Sequence, residues 1–121
     1  MTHYLQTEDL LLLADDLGVG PVRDLGLLSS SAARPQANLY GVEAYPSLDS
    51  KAAALLDSIV RNHPLIDGNK RLGWLATVVF YGLNEVSIDA PDDPAYDLVI
   101  ELASGHLDIP TTAARLAAWR A

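Results

Sequence analysis

The sequence predicts an all-α fold, a compact bundle of about six helices in a single domain that covers residues 1–121. Apolar residues recur at intervals of three and four along most of the chain, which is the spacing of one buried helix face. Half of the 121 residues are hydrophobic, so the chain is long and apolar enough to bury a core of its own. The one strand-like run, Val86-Ser87-Ile88, is too short to be more than a fragment of a strand.

Helix signals begin close to the N-terminus. Thr7 is the expected N-cap of a first helix, and Gly18 is expected to end it. A second helix is expected from Asp24 to Ala33, because Pro35 follows and the residue before a proline disfavours the α region. The stretch from Pro35 to Pro46 is rich in turn residues and predicts an exposed loop or a short hairpin.

Four further helices follow. Ser47 is the expected cap of a third helix that runs to about Asn62, where Pro64 prevents its continuation. The fourth helix is expected from Asn69 to about Gly82 and the fifth from about Pro94 to Ala103. The sixth begins near Pro110, since proline suits a first helical turn. The apolar face of the central fourth helix consists of Leu72, Leu75, Ala76, Val79, Phe80 and Leu83.

The most informative stretch is the nine-residue segment His63-Pro64-Leu65-Ile66-Asp67-Gly68-Asn69-Lys70-Arg71. It ends at the N-terminus of the fourth helix, where unpaired N–H groups and the positive end of the helix dipole attract anions. Gly68 has no Cβ and is expected to let a phosphate approach the backbone. Lys70 and Arg71 oppose the helix dipole unless an anion binds beside them. These features predict a phosphate site.

The same residues also have structural interpretations. Asp67 could cap the helix, and Gly68-Asn69 is common turn chemistry. A lone histidine is often structural, and Lys70 and Arg71 could be ordinary solvated charges. These interpretations explain the clustering of the cations less well than an anion site does.

The segment also contains the groups that transfer chemistry requires. A histidine such as His63 accepts a proton near neutral pH, and a substrate hydroxyl is its natural target because no serine or cysteine nucleophile lies beside it. One carboxylate, Asp67, is enough for Mg²⁺, which prefers one or two carboxylates plus substrate phosphates. Lys70 and Arg71 would neutralise charge on the transferred group. The segment predicts a phosphoryl- or nucleotidyl-transfer site.

Composition excludes several classes of protein. A formal net charge of −8 argues against a general nucleic-acid binder or a nuclease, yet three of the eight cations (Arg61, Lys70 and Arg71) lie within eleven positions. No apolar run approaches the roughly 20 residues that span a bilayer. The absence of cysteine excludes disulfides, and the polar first residues lack the layout of a secretory signal. We therefore expect a cytoplasmic protein.

The nine-residue segment resembles the signature of the Fic/Doc family, His-Pro-Phe-x-(Asp/Glu)-Gly-Asn-(Gly/Lys)-Arg. Eight of the nine positions conform, and Leu65 stands where the family usually has phenylalanine. Lysine at Lys70 is typical of the Doc (death-on-curing) branch. The resemblance extends over roughly residues 5–118 and includes the segments Arg23–Leu28 and Lys51–Leu56.

The resemblance implies the Fic/Doc fold and a role for each site residue. His63 would be the catalytic base and Asp67 the Mg²⁺ ligand. The phosphates of ATP would be held by Gly68, Asn69, Lys70 and Arg71, with Arg61 as an additional contact. Catalysis would rest on His63, Asp67, Lys70 and Arg71.

The resemblance also implies a biological role. Members of the Doc branch are toxins of bacterial toxin–antitoxin pairs that transfer the γ-phosphate of ATP to elongation factor Tu. The segment Pro35–Pro46 would be the flap that binds the target peptide, with Tyr40 and Tyr45 as candidate contacts. The chain has no Ser/Thr-x-x-x-Glu-Gly/Asn inhibitory motif, so we expect control by a small antitoxin whose disordered arm folds onto the toxin. AMP transfer to a protein hydroxyl, and a non-enzymatic nucleotide-binding or interaction module, remain the alternatives.

Overall fold

The computed structural model describes residues 1–121 and confirms the all-α prediction. Its six α-helices are α1 Thr7–Leu17, α2 Leu25–Ala33, α3 Leu48–Asn62, α4 Asn69–Leu83, α5 Asp92–Ala103 and α6 Ile109–Ala118. A short 3₁₀ turn, Arg34–Gln36, follows α2. The strands β1 (Asn38–Leu39) and β2 (Val42–Glu43) then form an antiparallel hairpin within the predicted flap.

Local capping signals set most helix boundaries. The side chain of Ser47 accepts a hydrogen bond from the N–H of Ser50, as predicted, and Gly18 ends α1 in a left-handed conformation. The prediction of Thr7 as the first cap is wrong by one residue. The N-cap is Gln6, whose N–H donates to a carboxylate oxygen of Asp9 at 2.7 Å.

The starts of the last two helices also differ slightly from prediction. Helix α5 begins at Asp92, two residues before Pro94, and Asp92 and Asp93 place negative charge in its first turn. Helix α6 begins at Ile109 because Asp108 is its N-cap and accepts a hydrogen bond from the N–H of Thr111 at 2.8 Å. The residues Val86–Ile88 form no strand of their own, and Ile88 makes only an isolated bridge with Arg120.

Helix α3 runs through the centre of the molecule and packs against α2, α4, α5 and α6. Ten of its fifteen residues are buried, and six of these belong to the hydrophobic core: Ala52, Ala53, Leu55, Leu56, Ile59 and Val60. Helix α4 lies along α3 because Gly73 leaves room for it: a Cβ at this position would lie 2.7 Å from Cγ1 of Val60. This close approach fixes the N-terminus of α4 beside the C-terminus of α3. No helix of the protein is long and apolar enough to span a membrane.

Candidate active site

The nine-residue segment forms the loop between α3 and α4 together with the first turn of α4. The loop begins at His63, which adopts a left-handed conformation with φ 52° and ψ 61°, and ends at Gly68 with φ 91°. A left-handed conformation costs a residue with a side chain about 1–2 kcal/mol, so the surrounding structure must hold His63 in place.

Arg23 holds the backbone at this turn. Its Nε donates a hydrogen bond to the carbonyl oxygen of His63 at 2.7 Å, and its Nη2 donates to the carbonyl oxygen of Asn62 at 2.9 Å. Both carbonyls lie at the C-terminus of α3, where helical partners are missing and positive charge is favourable. One guanidinium therefore completes the end of α3 and fixes the residue that carries the candidate base.

The rest of the loop pairs with the connection between α1 and α2. The segment Gly20–Asp24 runs alongside the loop, and its residue Val22 forms an isolated antiparallel bridge with Leu65. Four backbone hydrogen bonds join the two segments: Ile66 N–H to Pro21 at 2.9 Å, Arg23 N–H to Pro64 at 2.7 Å, Asp24 N–H to Pro64 at 3.1 Å and Gly20 N–H to Asp67 at 3.1 Å. The loop is thus held by main-chain pairing to a segment about forty residues or more away in the sequence.

The side chain of Asn69 holds the loop through two hydrogen bonds to the main chain of Leu65. Its side-chain oxygen accepts from the N–H of Leu65 at 2.9 Å, and its side-chain N–H₂ donates to the carbonyl of Leu65 at 3.0 Å. The residue is only 8% exposed. The side-chain oxygen and one of the two side-chain N–H bonds are used within the loop, so a phosphate contact from Asn69 would come from its main-chain N–H or from the second side-chain N–H. The side chain itself orders the loop.

Gly68 lies in close contact with Val19, which the sequence did not reveal. A Cβ at Gly68 would lie 2.4 Å from Cβ of Val19 and 2.5 Å from its Cγ1. The missing side chain therefore makes room for Val19 in the α1–α2 connection, while the approach of a phosphate to the Gly68 backbone stays a prediction. Asp67 is not a helix cap, since no side chain caps α4.

A pocket of about 460 Å³ opens at the N-terminus of α4. It contains six of the seven predicted site residues and two residues of α5 that the sequence analysis missed, Tyr96 and Ile100. Tyr96 is 67% exposed, and only the packing of α5 against α4 brings it to the pocket. The predicted residues in the pocket are His63, Asp67, Gly68, Asn69, Lys70 and Arg71.

Arg61 is the predicted site residue that does not line this pocket. Its Nη1 lies 3.7 Å from a carboxylate oxygen of Asp57, one helical turn earlier, and its side chain is half exposed. Its Nη2 lies 3.7 Å from the position that a Cβ would take on Gly105, in the connection between α5 and α6. A contact between Arg61 and a phosphate therefore stays a prediction.

The pocket continues into an apolar groove of about 670 Å³ between α4 and α5. Lys70, Arg71, Tyr96 and Ile100 belong to both spaces. The groove is walled mainly by apolar side chains, and its acidic members are Asp89 and Asp92. A ligand in the pocket can therefore extend along α4, or a second molecule can occupy the groove and reach the pocket.

The electrostatics of the pocket favour an anion. None of the five ion pairs in the protein involves Lys70, Arg71 or Asp67. Two cations without a carboxylate partner lie at a helix N-terminus that no side chain caps, which is unfavourable until a negative group binds there. No group of three or more His, Cys, Asp or Glu side chains is arranged to hold a metal ion. Asp67 is the one carboxylate that lines this pocket, so a divalent cation there would need further oxygen ligands from a bound molecule or from water.

Comparison with known proteins identifies the segment and its setting. The model of the Fic/DOC family matches residues 2–81, which is more than half of the chain. Over 126 aligned positions the chain is 48% identical to a protein described as Toxin Doc from Mycolicibacterium smegmatis. That alignment covers all of this chain and 96% of the Mycolicibacterium protein. The similarity thus extends well beyond the nine-residue segment.

Proposed function

The chain belongs to the Fic/Doc family, and on that premise we propose that it is the toxin of a toxin–antitoxin pair. Its reaction is transfer of the γ-phosphate of ATP to a Ser or Thr hydroxyl of a translation factor, with elongation factor Tu as the expected target. The observation that carries the proposal is the pocket in which two unpaired cations, Lys70 and Arg71, lie with His63 and Asp67.

Each group in the pocket has one task. His63 accepts the proton of the target hydroxyl as the hydroxyl oxygen attacks the γ-phosphorus. The bond between the γ-phosphorus and the β–γ bridging oxygen breaks, and ADP leaves with the electron pair. Lys70, Arg71 and the free N–H groups of the first turn of α4 bind the phosphate oxygens. Asp67 would hold Mg²⁺, which supplies neutralisation of phosphate charge.

Lys70 favours phosphate transfer over AMP transfer. Fic enzymes that transfer AMP mostly have glycine at this position, whereas lysine fills space and adds a compact positive charge. Because Lys70 lines both the pocket and the groove, its side chain lies where it can change the direction in which a nucleotide binds. AMP transfer remains the second candidate, since the same base and the same pocket would serve attack on the α-phosphorus.

The antitoxin is proposed to cover the groove between α4 and α5. A disordered arm that folds into a helix would bury its apolar residues against Trp74, Val78 and Val99. An acidic residue on that helix would meet Lys70 or Arg71, which share the groove with the pocket. Occupation of the groove would therefore exclude the nucleotide. The pair would act in the cytoplasm, where ATP and the translation factor are found.

Labelled ATP tests the reaction. Purified protein is incubated with elongation factor Tu, Mg²⁺ and ATP that carries label at either the α or the γ position. We expect label to reach the target only from the γ position. His63→Ala should abolish transfer while ATP binding, measured by calorimetry, stays intact, because a base acts on the chemical step. His106→Ala is the matched control, since this histidine is exposed and lies outside the pocket. Label from the α position would instead establish the AMP-transferring candidate.

A further inference from the structure

The hairpin in the flap has almost no core of its own. Each strand has two residues, and the turn between them is Tyr40-Gly41. The exposed fractions of Leu39, Tyr40 and Val42 are 69%, 97% and 71%. An isolated two-stranded hairpin is at best marginally stable in water, so contacts outside the hairpin must hold it in one orientation.

Lys51 supplies the first of these contacts. This residue of α3 has a side chain that is only 2% exposed. Its Nζ donates to a carboxylate oxygen of Glu43 in β2 at 2.9 Å and to the carbonyl oxygen of Tyr45 at 2.6 Å. The same Nζ lies 5.9 Å from the centre of the Tyr4 ring. A buried lysine is rare unless it is paired, and here its partners are the strand and the segment that leaves it.

Arg34 supplies the second contact, at the other end of the same tyrosine. Its Nε donates to the hydroxyl oxygen of Tyr45 at 3.0 Å, and its guanidinium lies 5.3 Å from the centre of the Tyr45 ring. Its Nη1 donates to Asp57 at 2.6 Å and to Ser58 at 3.0 Å, both in α3. Tyr45 is thus held at its carbonyl by Lys51 and at its hydroxyl by Arg34.

Both contacts attach the hairpin to α3, the helix that is followed directly by the candidate base His63. Lys51 and Asp57 lie in α3, and His63 follows its last residue. At 1.5 Å per residue, Asp57 lies about 9 Å and Lys51 about 18 Å along the helix axis from His63. Helix α3 is the most buried helix of the fold. The hairpin and His63 are therefore both held in place by the same rigid helix.

We propose that Lys51, Arg34 and Tyr45 are positioning residues that fix the flap hairpin relative to His63 and thereby set the affinity for the protein target. The part of this inference that concerns the target rests on the proposed function. The anchoring itself is a property of the free chain. When Lys51 is replaced, the half-exposed carboxylate of Glu43 can be solvated by water, so the effect is expected in the order of the flap more than in the free energy of unfolding.

Two variants test the anchor. Lys51→Met keeps an unbranched apolar side chain but removes both hydrogen bonds, and Tyr45→Phe deletes a single oxygen and keeps the ring. Arg115→Met is the control, because Arg115 pairs with Glu101 away from the flap. Amide hydrogen exchange of the free chain is measured by mass spectrometry. We expect at least tenfold faster exchange in residues 37–46 for Lys51→Met, a smaller increase for Tyr45→Phe, and parental exchange in α3 and α4 for both.

Kinetics test the consequence for the target. The KM for the protein target should rise about tenfold or more in Lys51→Met, while the KM for ATP stays at the parental value. A purely structural role would alter both constants or neither. Parental exchange of the flap in both variants overturns the proposal, and so does faster exchange with an unchanged KM for the target. Exchange needs no activity, so an inactive parental protein would count against the proposed function while faster exchange still established the anchor.

Discussion

The contact between Gly68 and Val19 makes the sharpest prediction about how the site is built. In Gly68→Ala the new Cβ would lie 2.4 Å from Cβ of Val19, at a residue whose φ is 91°. The backbone conformation costs an alanine about 1–2 kcal/mol. Overpacking against Val19 costs a further 1–3 kcal/mol or so. We expect the free energy of unfolding to fall by about 2–5 kcal/mol, the sum of these two costs.

Two other glycines separate these contributions. Gly18 has a φ of 69° and nothing within 4 Å of the position that a Cβ would take, so Gly18→Ala should show the backbone cost alone. Gly82 lies in α4 with neither constraint, so Gly82→Ala should be neutral or stabilising by up to about 1 kcal/mol. In the background of Val19→Gly the overlap is gone, and Gly68→Ala should then cost no more than Gly18→Ala does.

Urea unfolding followed by tryptophan fluorescence measures these differences, since Trp74 and Trp119 pack against the core. A shift of the midpoint at constant slope reports the change in stability. Transfer activity should fall in Gly68→Ala more than in Gly18→Ala, because relief of the overlap moves the loop away from the α1–α2 connection. If Gly68→Ala costs no more than Gly18→Ala, the overlap with Val19 does not set the position of the loop.

Four further predictions concern the support of His63 by Arg23, the charge of Lys70, the N-cap Asp108 of α6, and regulation by the antitoxin. Arg23→Met should lower kcat at least tenfold with an unchanged KM for ATP, because the carbonyl oxygen of His63 loses its hydrogen-bond donor. Steady-state kinetics measure this effect, with Arg115→Met as the control variant. A parental kcat in Arg23→Met would contradict the prediction. Lys70→Ala should slow phosphate transfer by about 10²-fold, the scale of losing one electrostatic donor, whereas Arg120→Ala should not. Hydrogen bonds from Thr111 lower the pKa of Asp108 in the folded protein. The ionised cap therefore stabilises the fold at any pH above the pKa that Asp108 has in the unfolded chain. This stabilisation is lost as the pH falls through the lower pKa of the folded state. The melting temperature of Asp108→Ala should therefore be lower than that of the parental protein at neutral pH and equal to it in acid. An equally large difference in melting temperature in acid would refute this. Expression of the chain alone should arrest bacterial growth and co-expression of its antitoxin should restore it, whereas harmless expression of folded, active protein would contradict the toxin role.

Local signals allowed most of the fold to be predicted. Ser47, Gly18 and the prolines mark helix ends through caps and backbone restrictions that act within a few residues. The error at Thr7 arose because the Asp9 side chain accepts a hydrogen bond from the N–H of Gln6 and so makes Gln6 the cap, although glutamine is not a usual cap. The nine-residue segment brought six predicted residues into one pocket because a loop and a single helical turn contain all of them.

Contacts between distant parts of the chain could not be predicted from the sequence. The hydrogen bonds from Arg23 to His63, the contact of Val19 with Gly68 and the place of Tyr96 in the pocket all join segments far apart in the sequence. The pairing of Lys51 with Glu43 depends on how the hairpin folds back onto α3. No periodicity or spacing specifies such contacts, because they depend on how helices pack.

Mass spectrometry of a bacterial cell extract incubated with the protein and Mg–ATP tests most directly whether this pocket transfers a phosphate from ATP to a protein hydroxyl. One translation factor should gain the mass of a single phosphate at a Ser or Thr, and an extract treated with the His63→Ala variant should show no such gain. A gain of AMP on the target would contradict phosphate transfer, and the same phosphate gain with His63→Ala would contradict the role of His63 as the base.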